Sequence, residues 1–437
     1  MSSAAEFEVK GWCPGALRPM RSGDGLIVRV RPQSGMFSID QMVVLAEAAR
    51  RFGNGQVDLT RRANLQIRGV TEKSLPALHD AIGELGLLDQ TPEGEAVRNL
   101  MISPLAGVDP TEVLDVREIA RELARLLASE PTLWALPTKF GFVVNGGGTF
   151  TLADERADIR LVAIRTGADA AIAIGLDTKG GIDWLGSASP ATAAAAAMAT
   201  AHAFLGVISR GPRQRMRDLS TEGLASLRST MGSRFDPLTL EPRKPHATPN
   251  TSSRIGPLDL GAGKYAVGMA APFGRIEADQ FLKFAAAISG LGVKEIRLSP
   301  WRALYAEAPG RQAAQAMLDA ALDAGFITDS TDPLLRIEAC SGFPACPSTS
   351  LDTRGDGRRL AGLLARVGFT GTVHVSGCAK GCAKSSASDL VLVGSEGRYG
   401  IARNGTAQDR PQRSASFSEL AADPCTILDP AGGRKHD

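Results

Sequence analysis

Gly35-Met-Phe-Ser-Ile-Asp-Gln-Met42 is followed by an apolar, helix-like run to Gly53 and a strand-like Val57-Asp-Leu-Thr60. The same arrangement recurs 239 residues later, without a gap, as Gly274-Arg-Ile-Glu-Ala-Asp-Gln-Phe281, a similar run to Gly292, and Ile296-Arg-Leu-Ser299. Self-similarity at a fixed offset dictates architecture before local propensity does. A second pair of segments supports duplication. Phe142-Val-Val-Asn-Gly146-Gly147 with Ala157-Asp158-Ile-Arg-Leu-Val162 matches Val373-His-Val-Ser-Gly377-Cys378 with Ser388-Asp389-Leu-Val-Leu-Val393, both at an offset of 231. Gly147 then stands where Cys378 stands, and at an offset of 238 Arg98 and Ile102 stand where Arg336 and Cys340 stand. Two matches in the same order, with nearly equal offsets, mark a duplicated chain.

Each copy opens as strand, helix, strand, over 25–70 and 264–308, and continues into a larger unit. There, helical stretches such as Glu112 to Ala128, Ala191 to Ala203 and Ala313 to Ala324 alternate with short β-branched runs. This mixture reads as an α+β fold, duplicated in a pseudo-twofold arrangement with a cleft between the copies. The expected organisation is a first half-repeat over 10–75, a larger α/β unit over 76–235, a linker over 236–257, a second half-repeat over 258–312 and a second α/β unit over 313–430. The linker is chosen because Asp236 to Pro257 is rich in Pro, Thr, Ser and Lys and has neither helix nor strand period.

The 437 residues carry 49 basic and 47 acidic side chains, a formal charge of +2. Nothing in that balance marks a nucleic-acid or membrane-surface binder, so any anion site has to be local. No apolar stretch approaches the roughly 18 residues of a membrane span, and the N-terminal residues lack the pattern of a secretory signal. A cytoplasmic location is expected, where six cysteines serve as thiols or metal ligands rather than disulfides.

Four of the six fall close together. Cys340-Ser-Gly-Phe-Pro-Ala-Cys346 and Cys378-Ala-Lys-Gly-Cys382 supply two pairs amid Gly342, Gly377 and Gly381, in only one of the two copies. One thiolate per iron is what a [4Fe-4S] cubane needs, and glycines let the loop backbone approach it. Buried free cysteines would not explain this spacing. A zinc site is the sharper rival, weakened because zinc ligands usually sit about two to four residues apart in both pairs. Cys13 and Cys425 have no close partners and read as structural.

In the first copy a strand ending with Arg62, Asn64, Gln66 and Arg68 would place four polar side chains on one face, since strand side chains alternate. Guanidinium and amide groups on an inner face point to an anion; an edge strand with a solvated face is the alternative.

With these residues in hand, the chain resembles the nitrite and sulfite reductase family. The resemblance covers nearly the whole chain and rests on C-x5-C followed by C-x3-C, on Thr60-Arg61-Arg62-Ala-Asn64-Leu-Gln66-Ile-Arg68-Gly69, on the pair Arg98-Asn99 and on Leu136-Pro-Thr-Lys139-Phe140. It implies two ferredoxin-like half-repeats, two larger α/β units, a [4Fe-4S] cluster on Cys340, Cys346, Cys378 and Cys382, and a tetrapyrrole pocket in the first copy.

Departures from the reductase pattern narrow this. Sulfite reductases have K-F-K where this chain has Lys139-Phe140-Gly141, and G-C-P-N-x-C where it has Gly377-Cys-Ala-Lys-Gly-Cys382. With Leu298-Ser-Pro-Trp-Arg302 and Gly397-Arg-Tyr-Gly-Ile-Ala-Arg-Asn-Gly405, these features resemble the cobalamin-biosynthesis branch of the family. That branch implies an O2-dependent monooxygenase that hydroxylates precorrin-3A and closes a γ-lactone. Arg62, Arg68, Arg98 and Lys139 would then meet substrate carboxylates, with Asn64 and Gln66 orienting the ring. A four-cysteine cluster has no open position, so a mononuclear non-haem iron is also implied. The five histidines, His79, His202, His246, His374 and His436, show no ligand spacing, and neither iron ligands nor catalytic residues are assigned. His374, four residues before Cys378, is the histidine expected nearest the site. An external electron donor is implied, since no G-x-G-x-x-G fingerprint follows a strand; Gly146-Gly-Gly148 reads as a turn. The alternatives are a sirohaem-dependent ferredoxin nitrite or sulfite reductase and a non-catalytic iron–sulfur or zinc protein.

Overall fold

The computed structural model describes residues 12–208, 214–238, 242, 254–424 and 427. They fall into two compact units, one built from Trp12–Met20 with Leu26–Thr328, the other from Arg21–Gly25 with the chain from Asp329 onward.

The repeated octapeptide explains the first unit. Ser34 and Gly35 both take left-handed backbone (φ 53° and 67°), and so do their counterparts Phe273 and Gly274 (φ 57° and 75°). Left-handed backbone is cheap only for glycine, and a Cβ on Gly274 would also lie 2.9 Å from Leu59 O. The turn throws the next three residues out of their own copy. Met36–Ser38 pairs antiparallel with Glu295–Leu298, Met36 opposite Arg297, while Arg275–Glu277 pairs with Gln56–Leu59, Arg275 opposite Asp58. One sheet therefore runs Gly25–Val30, Leu65–Val70, Gln56–Leu59, Arg275–Glu277, and the other runs Gly256–Gly261, Lys264–Ala270, Ala303–Ala308, Glu295–Leu298, Met36–Ser38. This reciprocal strand exchange is the pseudo-twofold relation of the ferredoxin-like halves.

The remainder of each octapeptide starts a helix. In Ile39–Phe52, Ser38 Oγ accepts from Gln41 N–H (3.1 Å) and Gln41 Oε1 accepts from Ser38 N–H (3.0 Å), a capping box. Met42, Leu45, Ala46 and Ala49 then face inward at helical spacing. In Ala278–Ile288 the inward face is Phe281, Phe284, Ala285 and Ile288. The two helices pack on each other in one shared core, with Phe37 edge-on to Phe281 at 6.5 Å. Ser38→Ala should lower stability by about 1 kcal/mol through loss of the cap, read as a shifted denaturant midpoint at constant slope; an unshifted midpoint would show the box contributes nothing.

The two larger sheets share one topology. Leu100–Ile102, Phe142–Asn145, Ile159–Thr166, Asp169–Thr178 and Gly181–Ala188 are joined by two parallel and then two antiparallel pairings. Ile337–Ala339, Val373–Ser376, Ser388–Ser395, Arg398–Gly405 and Arg413–Ala415 repeat that order. Register corrects one expectation. Leu100 pairs with Phe142 and Ile337 with Val373, so Ser103, and not Ile102, stands where Cys340 stands. A one-residue slip sends a side chain to the opposite face of a strand, which sequence matching across a gap does not detect.

The expected helix from Glu112 begins only at Arg117, because Val113 N–H is drawn to Gly146 O (2.9 Å). Ala193–Val207 is a helix with eight buried residues, and Arg311–Asp323 is one as well. Of the expected linker, Asp236 pairs with Ser187 through two backbone bonds and Gly256 already lies in a strand; its middle lies outside the described residues. Among the described residues no helix is long and apolar enough to cross a membrane.

Candidate cluster centre and anion site

The four expected cluster cysteines all lie in the second compact unit. Cys340 follows the strand Ile337–Ala339 and donates its N–H to Val375 O (3.2 Å). Gly377 N–H donates to Cys340 Sγ (3.2 Å), and Thr353 Oγ1 donates to Cys340 O (2.8 Å). The first loop closes by Cys346 N–H on Gly342 O (2.7 Å), with Gly342 left-handed at φ 62°. The second is held by Ser376 Oγ on Cys378 O (2.7 Å), with Gly381 at φ 63°. A Cβ on Gly377 would lie 2.5 Å from Thr349, so the bare backbone there has a steric cause.

Burial pushes the Cys382 thiol up to about 11 despite the Lys380 charge, and raises Cys378 against a hydrogen bond from Lys380 N–H. These groups hold protons at neutral pH until a metal displaces them. No group of three or more His, Cys, Asp or Glu among the described residues is spaced to hold a single ion. A zinc ion would require its sulfurs at about 2.3 Å from one centre, whereas a cubane takes one thiolate per iron, spread over four irons. Four thiols on two glycine-containing loops fit the cubane. Cys13 belongs to the other unit, and Cys425 lies outside the described residues.

The first copy shows what stands in place of the thiols. Gly146 N–H points at Ser103 Oγ (3.4 Å), as Gly377 N–H points at Cys340 Sγ, and Ser103 Oγ donates to Asn145 Oδ1 (3.0 Å). Asp109, six residues on as Cys346 is from Cys340, accepts from Thr111 N–H (2.9 Å) and Thr149 N–H (2.5 Å). Glu112 accepts from Gly107 N–H (2.7 Å), and burial raises its carboxyl to about 7. Oxygen hydrogen bonds close this loop.

The expected polar strand face is only half correct. Residues 60–64 form a turn, closed by Thr60 N–H on Asn64 O (2.9 Å) and Ala63 N–H on Thr60 O (3.1 Å), with Ala63 left-handed. The strand is Leu65–Val70, so Arg62 and Asn64 precede it and only Gln66 and Arg68 share its face. Thr60 Oγ1 accepts from both Arg62 and Asn64 N–H, which stabilises the turn over a longer strand.

Two of the four expected cations are engaged within the protein. Arg68 is buried against Asp58 (3.3 Å), which also takes Arg275. Arg98 forks onto Asp89 (2.8 and 2.7 Å) and donates to Arg31 O. Lys139 is exposed. Arg62 differs: Nη2 donates to Lys139 O (3.2 Å), while Nη1 is buried with no hydrogen-bond partner.

Sequence reading missed Arg29 and Arg31. Strand Gly25–Val30 buries Leu26, Val28 and Val30, so Arg29 lies on the opposite face, in register with Gln66. Alternation alone carried that signal. Arg31 pairs with Glu95 at 2.5 Å. Arg29 Nε is buried without a hydrogen-bond partner, and burial followed by the Arg31 charge pulls its guanidinium down to about 10, with neighbouring Cys13 acting in the opposite direction. Burial and then the Arg215 charge lower Arg62. Asp158 is taken by Arg215. Among the described residues neither Arg29 nor Arg62 has a carboxylate at ion-pair distance, and buried charge without a counter-ion calls for an anionic ligand.

His79 bonds Ala16 O (2.9 Å) and His202 faces Thr132 (3.5 Å). His374 is fully buried, with Cε1 3.6 Å from a Cβ built on Gly381. His246 and His436 lie outside the described residues. In the Leu298–Arg302 segment, Trp301 Nε1 donates to Glu155 (2.9 Å) under the Arg254 guanidinium, 3.8 Å from the ring. In the Arg398–Gly405 strand, Tyr399 donates to buried Asp356 (2.6 Å).

Residues 18–85 match the profile of the nitrite/sulfite reductase ferredoxin-like half domain. Over 405 residues the chain is 34% identical to a precorrin-3B synthase of Sinorhizobium sp., covering 92% of this chain and 84% of that one. The chain belongs to the nitrite and sulfite reductase family, on its precorrin-3B synthase branch. Within that family, an assimilatory ferredoxin-dependent nitrite reductase of Haloferax mediterranei is 23% identical over 84% of this chain and 70% of its own. The solved structure of Mycobacterium tuberculosis NirA shares the fold, with a TM-score of 0.72 at 19% identity over 94% of this chain and 82% of that one. Residues 93–219 match the family's nitrite and sulphite reductase 4Fe-4S domain. That stretch contains no cysteine: the profile describes the α/β unit, which occurs twice, and the thiols stand in the twin.

Proposed function

We propose that this chain is an O2-dependent precorrin-3A monooxygenase, hydroxylating the macrocycle and closing a γ-lactone in aerobic cobalamin biosynthesis. The observation that carries the reading is the likeness to a precorrin-3B synthase over 92% of the chain, together with two half-buried arginines, Arg29 and Arg62, each with a buried, unpartnered guanidinium nitrogen and no carboxylate at ion-pair distance. The substrate is a polycarboxylate, and Arg29 and Arg62 supply donors for it, with Lys139 adding charge at the exposed side. Arg68 and Arg98 act through Asp58 and Asp89 and position neighbouring backbone. Holding the ring in one orientation is the protein's own contribution to the rate.

A [4Fe-4S] cluster on Cys340, Cys346, Cys378 and Cys382 supplies electrons one at a time when bound. The reading also includes a mononuclear non-haem iron and an external electron donor, neither tied to particular residues. The test uses protein purified without oxygen. A broad cluster shoulder without haem bands, followed by gain of one oxygen atom by precorrin-3A when O2 and a reductant are added, is the expected result. Sirohaem bands with nitrite or sulfite reduction would replace this reading by the reductase one.

A further inference from the structure

Gly141 is not required by its own backbone. It is absent from the glycines with left-handed φ. Its counterpart in the second copy carries a side chain: Thr372 N–H donates to Asp389 Oδ2 (2.7 Å) as Gly141 N–H donates to Asp158 Oδ2 (2.9 Å). The ladder position therefore accepts a Cβ, and the difference lies in the neighbour. A Cβ on Gly141 would lie 2.6 Å from Arg62 Nη1 and 3.2 Å from Asn99 Nδ2.

One partner would have to move, and the glycine is clamped. Its N–H is on Asp158, its carbonyl accepts Asp158 N–H (2.7 Å), and Asp158 is buried, held by Arg215 and by Met216 N–H (2.9 Å). Arg62 is held by a single side-chain bond, Nη2 to Lys139 O. A side chain at 141 would displace Arg62.

We propose that Gly141 determines specificity by leaving the seat of the Arg62 guanidinium open, so that Nη1 is presented to a carboxylate of the tetrapyrrole. The ligand in this statement rests on the function proposed above. A glycine here favours a planar, fixed donor matched to a carboxylate, whereas a lysine would supply a mobile point charge matched to a small oxyanion and would push Arg62 aside.

A double-mutant cycle of Gly141→Ala and Arg62→Ala tests both parts. In ligand-free protein, Gly141→Ala should lower the melting temperature when Arg62 is present and not in the Arg62→Ala background; equal shifts in both would overturn the contact. In anaerobic titrations with precorrin-3A, each single variant should bind about tenfold to a hundredfold more weakly. The double variant should bind no more weakly than Arg62→Ala, with cluster iron unchanged throughout. Wild-type affinity in Gly141→Ala, or multiplied losses in the double variant, would overturn the specificity role. If wild-type protein binds no precorrin-3A while the ligand-free cycle still couples, the contact stands; the proposed function and the ligand assigned to Arg62 both fall.

Discussion

Replacing any one of Cys340, Cys346, Cys378 or Cys382 by Ser should abolish the intact cluster, whereas Cys13→Ser and Cys425→Ser should keep full iron and sulfide. Each iron of a cubane has one protein ligand, so the loss of one thiolate is not spread over the others. Iron and acid-labile sulfide analysis of the six variants, with the visible spectrum of each, measures this. A full complement of iron and sulfide in Cys378→Ser would sink the assignment.

The second large effect separates arginines that look alike in sequence. Arg62→Met and Arg29→Met should weaken anaerobic binding of precorrin-3A by about tenfold to a hundredfold, the worth of a charge-assisted hydrogen bond made only in the complex. Without ligand, these variants should be at least as stable as the parent, since each removes a largely desolvated charge that has no carboxylate at ion-pair distance. Arg98→Met should do the reverse. It strips Asp89 of both guanidinium bonds, and breaking a mostly buried pair costs about 3 kcal/mol, lost as a lower denaturant midpoint. Arg68→Met should be milder, because Arg275 remains on Asp58 at 2.8 Å. Binding and denaturation data on the four variants together decide it. A loss of affinity in Arg98→Met at unchanged stability would return Arg98 to the ligand and remove the distinction.

The difference between these arginines was invisible in the motif Thr60-Arg61-Arg62-Ala-Asn64-Leu-Gln66-Ile-Arg68, where period-two spacing puts four polar residues on one face. A local hydrogen-bond choice decided otherwise, since Thr60 Oγ1 takes the N–H groups of Arg62 and Asn64 and turns the chain. Likewise, Arg29 sat in a readable alternating strand, but its lack of a counter-ion depends on carboxylates distant in sequence: Glu95 on Arg31 and Asp158 on Arg215.

By itself the sequence determined the duplication and the α+β class, and it singled out the four thiols proposed for the cluster. Each rests on a pattern that survives without coordinates: two octapeptides at one offset, helix and strand periods, and cysteine spacing set by the size of a cubane. Only the tertiary structure decided that the octapeptide strands change places between the halves, that Ser103 rather than Ile102 is the counterpart of Cys340, and which arginines are already neutralised. The physical reason is common to all three. Strand partners, ladder register and counter-ions are fixed by groups far apart in the chain, and a period read along one segment carries no record of what lies across from it.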